Sequence, residues 1–162
     1  MLRLCSREEF SRYIDFAYEL ASDLTKSGYP TYCDGVKTKK MFVERSLKAF
    51  ERETEQMLIF ELEGEVHGLI HCYWIPDDRY LDTCLFLADR AIDLAVSEFR
   101  TYAEENFAGY DLFLGFPADN QTAVNYLAGH GIECIESDYN NTSFMNRFEH
   151  IQENRSVIRI KK

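Results

Sequence analysis

The chain has 162 residues, 46% of them hydrophobic, which is enough to form one domain with a buried core. Its formal net charge of −10 argues against nucleic-acid binding, because phosphate recognition needs clustered Lys and Arg. The sequence contains no run of about 18 apolar residues, so no membrane span is predicted, and the N-terminus lacks the apolar segment of a signal peptide. We therefore expect a cytoplasmic protein that binds neither nucleic acid nor membrane.

The first third of the chain predicts a short strand and two helices. Leu2–Leu4 reads as a strand, and Ser6 with Glu9 forms the pattern of a capping box at the start of a helix. Apolar residues at helical spacing continue this helix until Gly28 and Pro30 are near. After a loop, a second amphipathic helix presents Phe42, Val43, Leu47 and Phe50 on one side.

The middle of the chain changes from helical to strand periodicity. "QMLIFELEGEVHGLIHCYWI" predicts two strands joined by a tight turn, and the segment Tyr80–Leu87 predicts a third. A long helix follows, with Asp89 as its expected N-cap and an end near Phe107. A largely buried strand is then predicted over Tyr110–Phe116.

The C-terminal part predicts a short helix over about 121–130, followed by strands at "IECIES" and "TSFMNRFE". The predicted order is β-α-α-β-β-β-α-β-α-β-β, within a domain that we place at residues 1–150. "SVIRIKK" in the remaining tail, 151–162, is similar to "MLRLCS" at the start of the chain. We expect this tail to lie outside the domain, either as a plain tail or as the first strand of a second, similar domain.

The element order and one motif resemble the GNAT superfamily of acetyl-CoA-dependent N-acetyltransferases. In "DNQTAVNYLAGHGIECIES", the residues Asn120, Ala123, Gly131 and Ile132 fall on positions of the family's C-terminal signature. The resemblance covers about residues 2–148. It implies a single α/β (α+β) domain with a mixed, mostly antiparallel central sheet flanked by helices. It also implies that acetyl-CoA binds in a gap between the fourth and fifth strands.

The same resemblance implies which residues bind acetyl-CoA. They are Leu85, Phe86 and Leu87 on the fourth strand, then Arg90, Ala91 and Ile92 at the start of the long helix, then Asn120 and Ala123. The family's glycine-rich pyrophosphate loop is missing, because no glycine occurs between Gly68 and Gly109. Asp89 and Asp93 stand where the phosphates would lie, and their carboxylates would repel a diphosphate.

Two residues are candidates for catalysis. The family often places a Tyr seven residues after the Asn as the acid that protonates the leaving thiolate, but Leu127 holds that position here. Tyr126, one residue earlier, is our candidate acid, with a core tyrosine as the alternative. Asp82 on the fourth strand is our candidate base for the amine, with an ordinary surface carboxylate as the alternative.

Other polar residues have simpler interpretations. The five cysteines contain no CxxC and are expected to be reduced, with Cys72 and Cys84 acting as small hydrophobic residues. His67 and His71 are four apart but lie in a predicted strand, so no metal site is predicted. His130 is expected near the end of its own helix, where the helix dipole favours a cation.

Three functions stay open from the sequence. The first is an acetyl-CoA-dependent N-acetyltransferase acting on a small amine. The second is a catalytically degenerate GNAT-like domain that serves as a scaffold, a homodimer interface or one half of a tandem protein with a second GNAT-like domain. The third is a binding module that uses the strand gap for a small molecule other than acetyl-CoA. Function depends on the site rather than on the fold, so the acceptor is not predicted.

Overall fold

The computed structural model describes residues 1–22, 36–117, 125–126, 128–132, 134–145 and 152–160. The helices in these ranges are α1 (Arg7–Arg12), α2 (Ile14–Ala21), α3 (Val36–Ala49) and α4 (Ile92–Asn106). The strands are β1 (Leu2–Leu4), β2 (Glu55–Leu62), β3 (Glu65–Ile75), β4 (Tyr80–Leu87), β5 (Asp111–Pro117), β6 (Cys134–Met145) and β7 (Gln152–Ile160).

All seven strands belong to one sheet with the order β1-β2-β3-β4-β5-β7-β6. The β4–β5 pair is parallel, and every other neighbouring pair is antiparallel. A parallel connection needs a long crossover, and α4 supplies it between β4 and β5. The structure therefore confirms the predicted single α/β domain with a mixed, mostly antiparallel sheet.

The sheet separates two apolar cores, because successive side chains of a strand point to opposite faces. On one face, α4 packs over β-strand residues such as Leu58, Ile70 and Leu81. On the other face, the helices α1 to α3 pack over Ile59, Leu69 and Phe86, among others. No helix in the described ranges is long and apolar enough to cross a membrane.

The first helix begins as predicted but is interrupted at Tyr13. The backbone N–H of Glu9 donates to Ser6 Oγ at 3.1 Å, and the Ser6 N–H donates to Glu9 Oε2 at 3.0 Å, which confirms the capping box. At Tyr13 the backbone leaves helical geometry, with φ −109° and ψ 13°, so α1 and α2 are separate helices. The sequence carries no Gly or Pro there that would have indicated the break.

The C-terminal strands differ from the sequence prediction. One strand, β6, covers both segments that were predicted as separate strands up to Met145, and β7 lies between β5 and β6. Gln152–Ile160 is thus part of this sheet, with Gly115 opposite Val157 and Leu114 opposite Ile158. The expectation of an outlying tail is wrong for these residues, because they pair with β5. This partner lies about 40 residues earlier in the sequence, so no local pattern indicated the pairing. A second domain after Lys162 stays a prediction.

Candidate functional site

A gap between β4 and β5 forms because the two strands diverge. Their parallel ladder runs from Tyr80–Asp111 to Thr83–Leu114. Beyond that pair, β4 continues along β3 to Leu87, whereas β5 continues along β7 to Pro117. At the apex of the gap, the buried Thr83 hydroxyl donates to the Phe113 carbonyl at 2.8 Å. The divergence lies where the sequence analysis expected a ligand site.

The β4 side of the gap carries three of the predicted cofactor-binding residues. Leu85, Phe86 and Leu87 are all buried, with Leu85 and Leu87 in the core under α4 and Phe86 in the opposite core. Because their side chains pack in the two cores, these residues would bind a ligand through backbone N–H and C=O groups. The cofactor-binding role of these residues stays a prediction.

The start of α4 faces the open end of this gap. The helix begins at Ile92 with Ala91 as N-cap and no side-chain cap, so the prediction of Asp89 as N-cap is wrong. Ala91 and Ile92 are buried, and the N–H of Ala91 donates to the Ala88 carbonyl at 3.0 Å. Arg90 forms an exposed ion pair with Glu63 at 2.8 Å. First-turn amides of a helix have no intrahelical partner and are the groups that bind anions.

Two carboxylates next to the start of α4, those of Asp89 and Asp93, contact residues of the segments 125–126 and 128–132. The Tyr126 hydroxyl donates to Asp89 Oδ1 at 2.7 Å, and His130 Nδ1 lies 2.7 Å from Asp93 Oδ1. The rings of Tyr126 and His130 meet edge to face, 4.8 Å apart. His130 lies at the end of this helical segment, as expected, and its imidazole also has a carboxylate partner on α4. Asn120, Ala123 and Leu127 lie outside the described residues.

The two predicted catalytic residues stand at opposite ends of the gap. Asp82 is buried on β4, opposite Phe113 of β5 and one residue before the last paired position. Leu87, where β4 ends, is about 17 Å further along the strand at roughly 3.3 Å per residue. Tyr126 contacts Asp89, beyond that end. The geometry does not bring Asp82 and Tyr126 together, and their catalytic roles stay predictions.

A polar chain across three strands was missed by the sequence analysis. His71 Nε2 lies 3.1 Å from Glu55 Oε2, and Arg52 donates to Glu55 Oε1 at 2.8 Å. Cys84 on the next strand is directly opposite His71 and close enough to raise its pKa. Burial by itself would lower the pKa of His71, but the contacts with Cys84 and Glu55 raise it to about 9. Glu55 is half-buried, which by itself would raise its pKa, yet His71 and Arg52 lower it.

These contacts revise one expectation. His71 was interpreted as part of a solvated or partly buried strand face, which its half-buried place on β3 confirms, whereas Cys84 was interpreted as a small hydrophobic residue like Cys72. Cys72 is fully buried in the core, whereas Cys84 is half-buried and contacts an imidazole. Among the described residues no cluster of His, Cys, Asp and Glu is suited to hold a metal ion. A strand-paired His and Cys thirteen residues apart carry no local sequence signal.

Comparison with known proteins gives similarity in structure only. No family model matches this sequence, and no curated protein matches it. The structure is similar to a spermidine N-acetyltransferase from Vibrio cholerae solved with CoA and spermine, with a TM-score of 0.58 and 12% identity, covering 99% of this chain and 92% of that one. A ribosomal-protein-alanine N-acetyltransferase from Brucella melitensis gives a TM-score of 0.57 at 13% identity, over 98% and 97% of the two chains.

A third similar structure is a ribosomal L7/L12 alpha-N-protein acetyltransferase in complex with coenzyme A. It gives a TM-score of 0.57 at 13% identity, covering 98% of this chain and 92% of that chain. At such low identity the likeness establishes the fold. The resemblance to the GNAT superfamily that the sequence indicated is confirmed at that level: this chain has the GNAT fold.

Proposed function

We propose that this chain is an acetyl-CoA-dependent N-acetyltransferase that transfers an acetyl group to a small amine. The observation that carries the proposal is the divergence of β4 and β5 after Thr83–Leu114. An extended ligand inserted there would meet strand backbone on both sides, as a short additional strand does. The nearly full-length similarity to acetyltransferase structures supports the same function.

The gap and the start of α4 suit the two parts of acetyl-CoA unequally. The pantetheine arm and thioester are uncharged and match the strand-lined gap along Leu85–Leu87. The diphosphate would lie near α4, where Asp89 and Asp93 add negative charge and Arg90 is paired with Glu63. We therefore expect affinity to come mainly from the pantetheine part, with a weak contribution from the diphosphate.

The acceptor chemistry follows from the base and the hydrogen-bond donor that the gap presents. Asp82 is the proposed base that accepts a proton from the amine, directly or through water. A backbone N–H of β4 is the proposed donor to the developing oxyanion. Tyr126 was the predicted acid for the leaving thiolate, but beside Asp89 it lies beyond the end of β4 and too far from Asp82 to protonate a thiolate released at the same carbonyl carbon. The net charge of −10 favours a cationic acceptor, and one similar structure holds spermine.

A second candidate is a degenerate domain that keeps the fold as a scaffold, homodimer interface, small-molecule binding module or half of a tandem protein. The observation that favours it is the pair of carboxylates, each hydrogen-bonded, at the site where the fold otherwise offers helix amides to phosphate. Such a domain would bind acetyl-CoA only weakly. Oligomeric state and a cytoplasmic location stay predictions.

Calorimetric titration of acetyl-CoA, followed by an acetylation assay on a panel of amines including polyamines, tests the proposal. Binding near micromolar, about −8 kcal/mol, with turnover of one amine class supports it. If Asp82 is the base, Asp82→Asn is expected to lower kcat strongly and to change KM little. The control Asp78→Asn, at an exposed turn position, should leave both constants unchanged. Absence of binding at millimolar acetyl-CoA favours the scaffold.

A further inference from the structure

Three neighbouring strands bring a carboxylate, an imidazole and a thiol together on one face of the sheet. Cys84 on β4 is directly opposite His71 on β3, and Glu55 comes from β2 on the other side of β3. The imidazole lies 3.1 Å from the Glu55 carboxylate and directly opposite Cys84 in the strand register. A carboxylate that orients an imidazole next to a nucleophile is the arrangement that activates cysteine in covalent catalysis.

Cys84 differs from the other cysteines whose side chains the structure describes. Cys5 and Cys72 are buried, and burial raises the pKa of both thiols, that of Cys5 to about 11. Buried thiols in apolar surroundings are inert. Cys84 is half-buried and lies directly opposite His71, whose imidazolium form favours a neighbouring thiolate. Reactivity within this set is therefore expected at one position.

The place of Cys84 along β4 links the thiol to the proposed donor site. Thr83 is the last β4 residue in the ladder with β5, and Cys84 is the first beyond it. It therefore lies at the apex of the gap, on the strand face shared with Asp82 and Phe86 and packed under the α1–α3 side. A thioester carbonyl at the apex would be within reach of this sulfur, and an amine would approach from the same face.

We propose that Cys84 is a catalytic nucleophile that accepts the acyl group from the thioester donor before the amine does, with the His71 imidazolium as the partner of its thiolate and Glu55 as the residue that positions His71. This inference rests on the proposed acetyltransferase function and changes its mechanism. Transfer would proceed through an acyl-enzyme in two steps, instead of by direct attack of the amine with Asp82 as base.

The two steps balance without any redox partner. In the first, the Cys84 sulfur attacks the thioester carbonyl carbon as the thiolate partner of the His71 imidazolium, a new C–S bond forms, and the bond to the donor sulfur breaks. The leaving thiolate takes the proton from the imidazolium. In the second, the amine nitrogen attacks the acetyl-Cys84 carbonyl, the C–N bond forms as the C–S bond breaks, and the thiolate leaves. The amine proton passes to His71, which restores the imidazolium beside the Cys84 thiolate.

The test uses a donor that does not depend on the diphosphate site. The full chain is incubated with S-acetyl-N-acetylcysteamine without amine, quenched in acid, and analysed by intact mass and peptide mapping. We expect one acetyl group per chain, located on Cys84 and discharged when an amine is added. Cys84→Ala should abolish the adduct, and the matched control Cys5→Ala should keep it. A wild-type chain that stays unmodified at Cys84 overturns the inference.

The roles of the two partners have their own readouts. His71→Gln is expected to slow acylation of Cys84 by at least about a hundredfold, the usual contribution of general acid–base catalysis. Glu55→Gln should slow acylation less, without changing the acylated site, and Glu55→Asp should restore part of the rate. Circular dichroism checks that each variant is folded. Unchanged acylation rates in a folded His71→Gln chain would contradict the proposed proton transfer.

The amine assay separates failure of this inference from failure of the proposed function. If Cys84→Ala still acetylates amines from acetyl-CoA at the wild-type rate, the function stands and the acyl-enzyme is wrong. If neither protein binds or uses acetyl-CoA, yet Cys84 is acylated by the small thioester, the nucleophile is supported and the choice of donor in the proposed function is wrong.

Discussion

The Tyr126 hydroxyl donates a hydrogen bond to Asp89 Oδ1 over 2.7 Å and so connects the turn around 125–130 to the segment just before α4. Four residues later, His130 makes the equivalent contact with Asp93 over 2.7 Å. Side chains four apart on a helix share a face, so one helical face holds both carboxylates. The start of α4 is therefore stabilised from within the protein by contacts that an anionic ligand would have to compete with.

Removing both negative charges is expected to tighten CoA binding. The double change Asp89→Asn and Asp93→Asn keeps an oxygen acceptor for Tyr126 and His130 but eliminates repulsion of the diphosphate. We expect the Kd for CoA to fall by about threefold to thirtyfold, with the larger effect at low salt. Calorimetry at two ionic strengths measures the change.

The matched control for this prediction changes the same net charge at the other end of α4. Glu104→Gln with Glu105→Gln, both exposed, should alter the Kd by less than about twofold because these positions are several turns from the helix start. Equal effects of the two double changes would show that overall charge, and not the local carboxylates, sets the affinity.

Thr83→Val is expected to lower the free energy of unfolding and to weaken acetyl-CoA binding. The substitution keeps the side-chain shape but removes the hydroxyl that donates to the Phe113 carbonyl at 2.8 Å. Loss of a buried hydrogen bond costs about 1–2 kcal/mol of unfolding free energy. The Kd for acetyl-CoA should also rise, since the bond joins the two strands where they part. Urea denaturation and calorimetry measure the two effects, with Thr101→Val on the exposed side of α4 as control. An unchanged Kd would mean that the bond does not shape the gap.

The stability that His71 contributes is expected to depend on pH. Its pKa is about 9 in the folded chain against an ordinary value of 6.5, because Glu55 and Cys84 favour the imidazolium. A pKa raised on folding stabilises the protein fully below about pH 6.5, and this stabilisation is lost as the pH rises through about 9. The loss of unfolding free energy on His71→Gln should therefore be larger near about pH 6 than near about pH 9.5.

The partner Glu55 limits that stabilisation on the acid side. Its pKa is lowered from the ordinary 4.5 by His71 and by Arg52, so its contribution is present above about pH 4.5 and falls as the carboxylate protonates. NMR titration of the His71 ring gives the direct measurement. A midpoint at or below about pH 6.5 would contradict the ion pair.

Gly68→Ala is expected to destabilise the pairing of β3 with the end of β4. A Cβ at this position would lie 2.6 Å from the Phe86 carbonyl oxygen and 2.6 Å from Leu87 Cδ2, and the backbone oxygen cannot move without breaking the ladder. We expect a loss of about 1–3 kcal/mol of unfolding free energy. Gly129→Ala, where a Cβ meets nothing within 4 Å, should be neutral or slightly stabilising. Similar losses for both would point to glycine conformation and not to steric contact.

Local interactions were determined by the sequence alone. The capping box of Ser6 and Glu9 joins residues three apart, and the strand Tyr80–Leu87 has the bounds that its composition predicts. The absence of glycine between Gly68 and Gly109 likewise indicated that α4 begins without a glycine-rich loop. Such features are readable because the interacting groups lie within one turn or one strand, where spacing fixes which side chains meet.

The tertiary structure alone decided which distant residues meet. It placed β7 between β5 and β6, turned the Tyr126 hydroxyl to Asp89, and aligned Glu55, His71 and Cys84 on one sheet face. These pairings join residues 13 to 46 positions apart, and they depend on strand order and register. A shift of one residue in register would send each side chain to the opposite face. For that reason no pattern within a single segment could have indicated them.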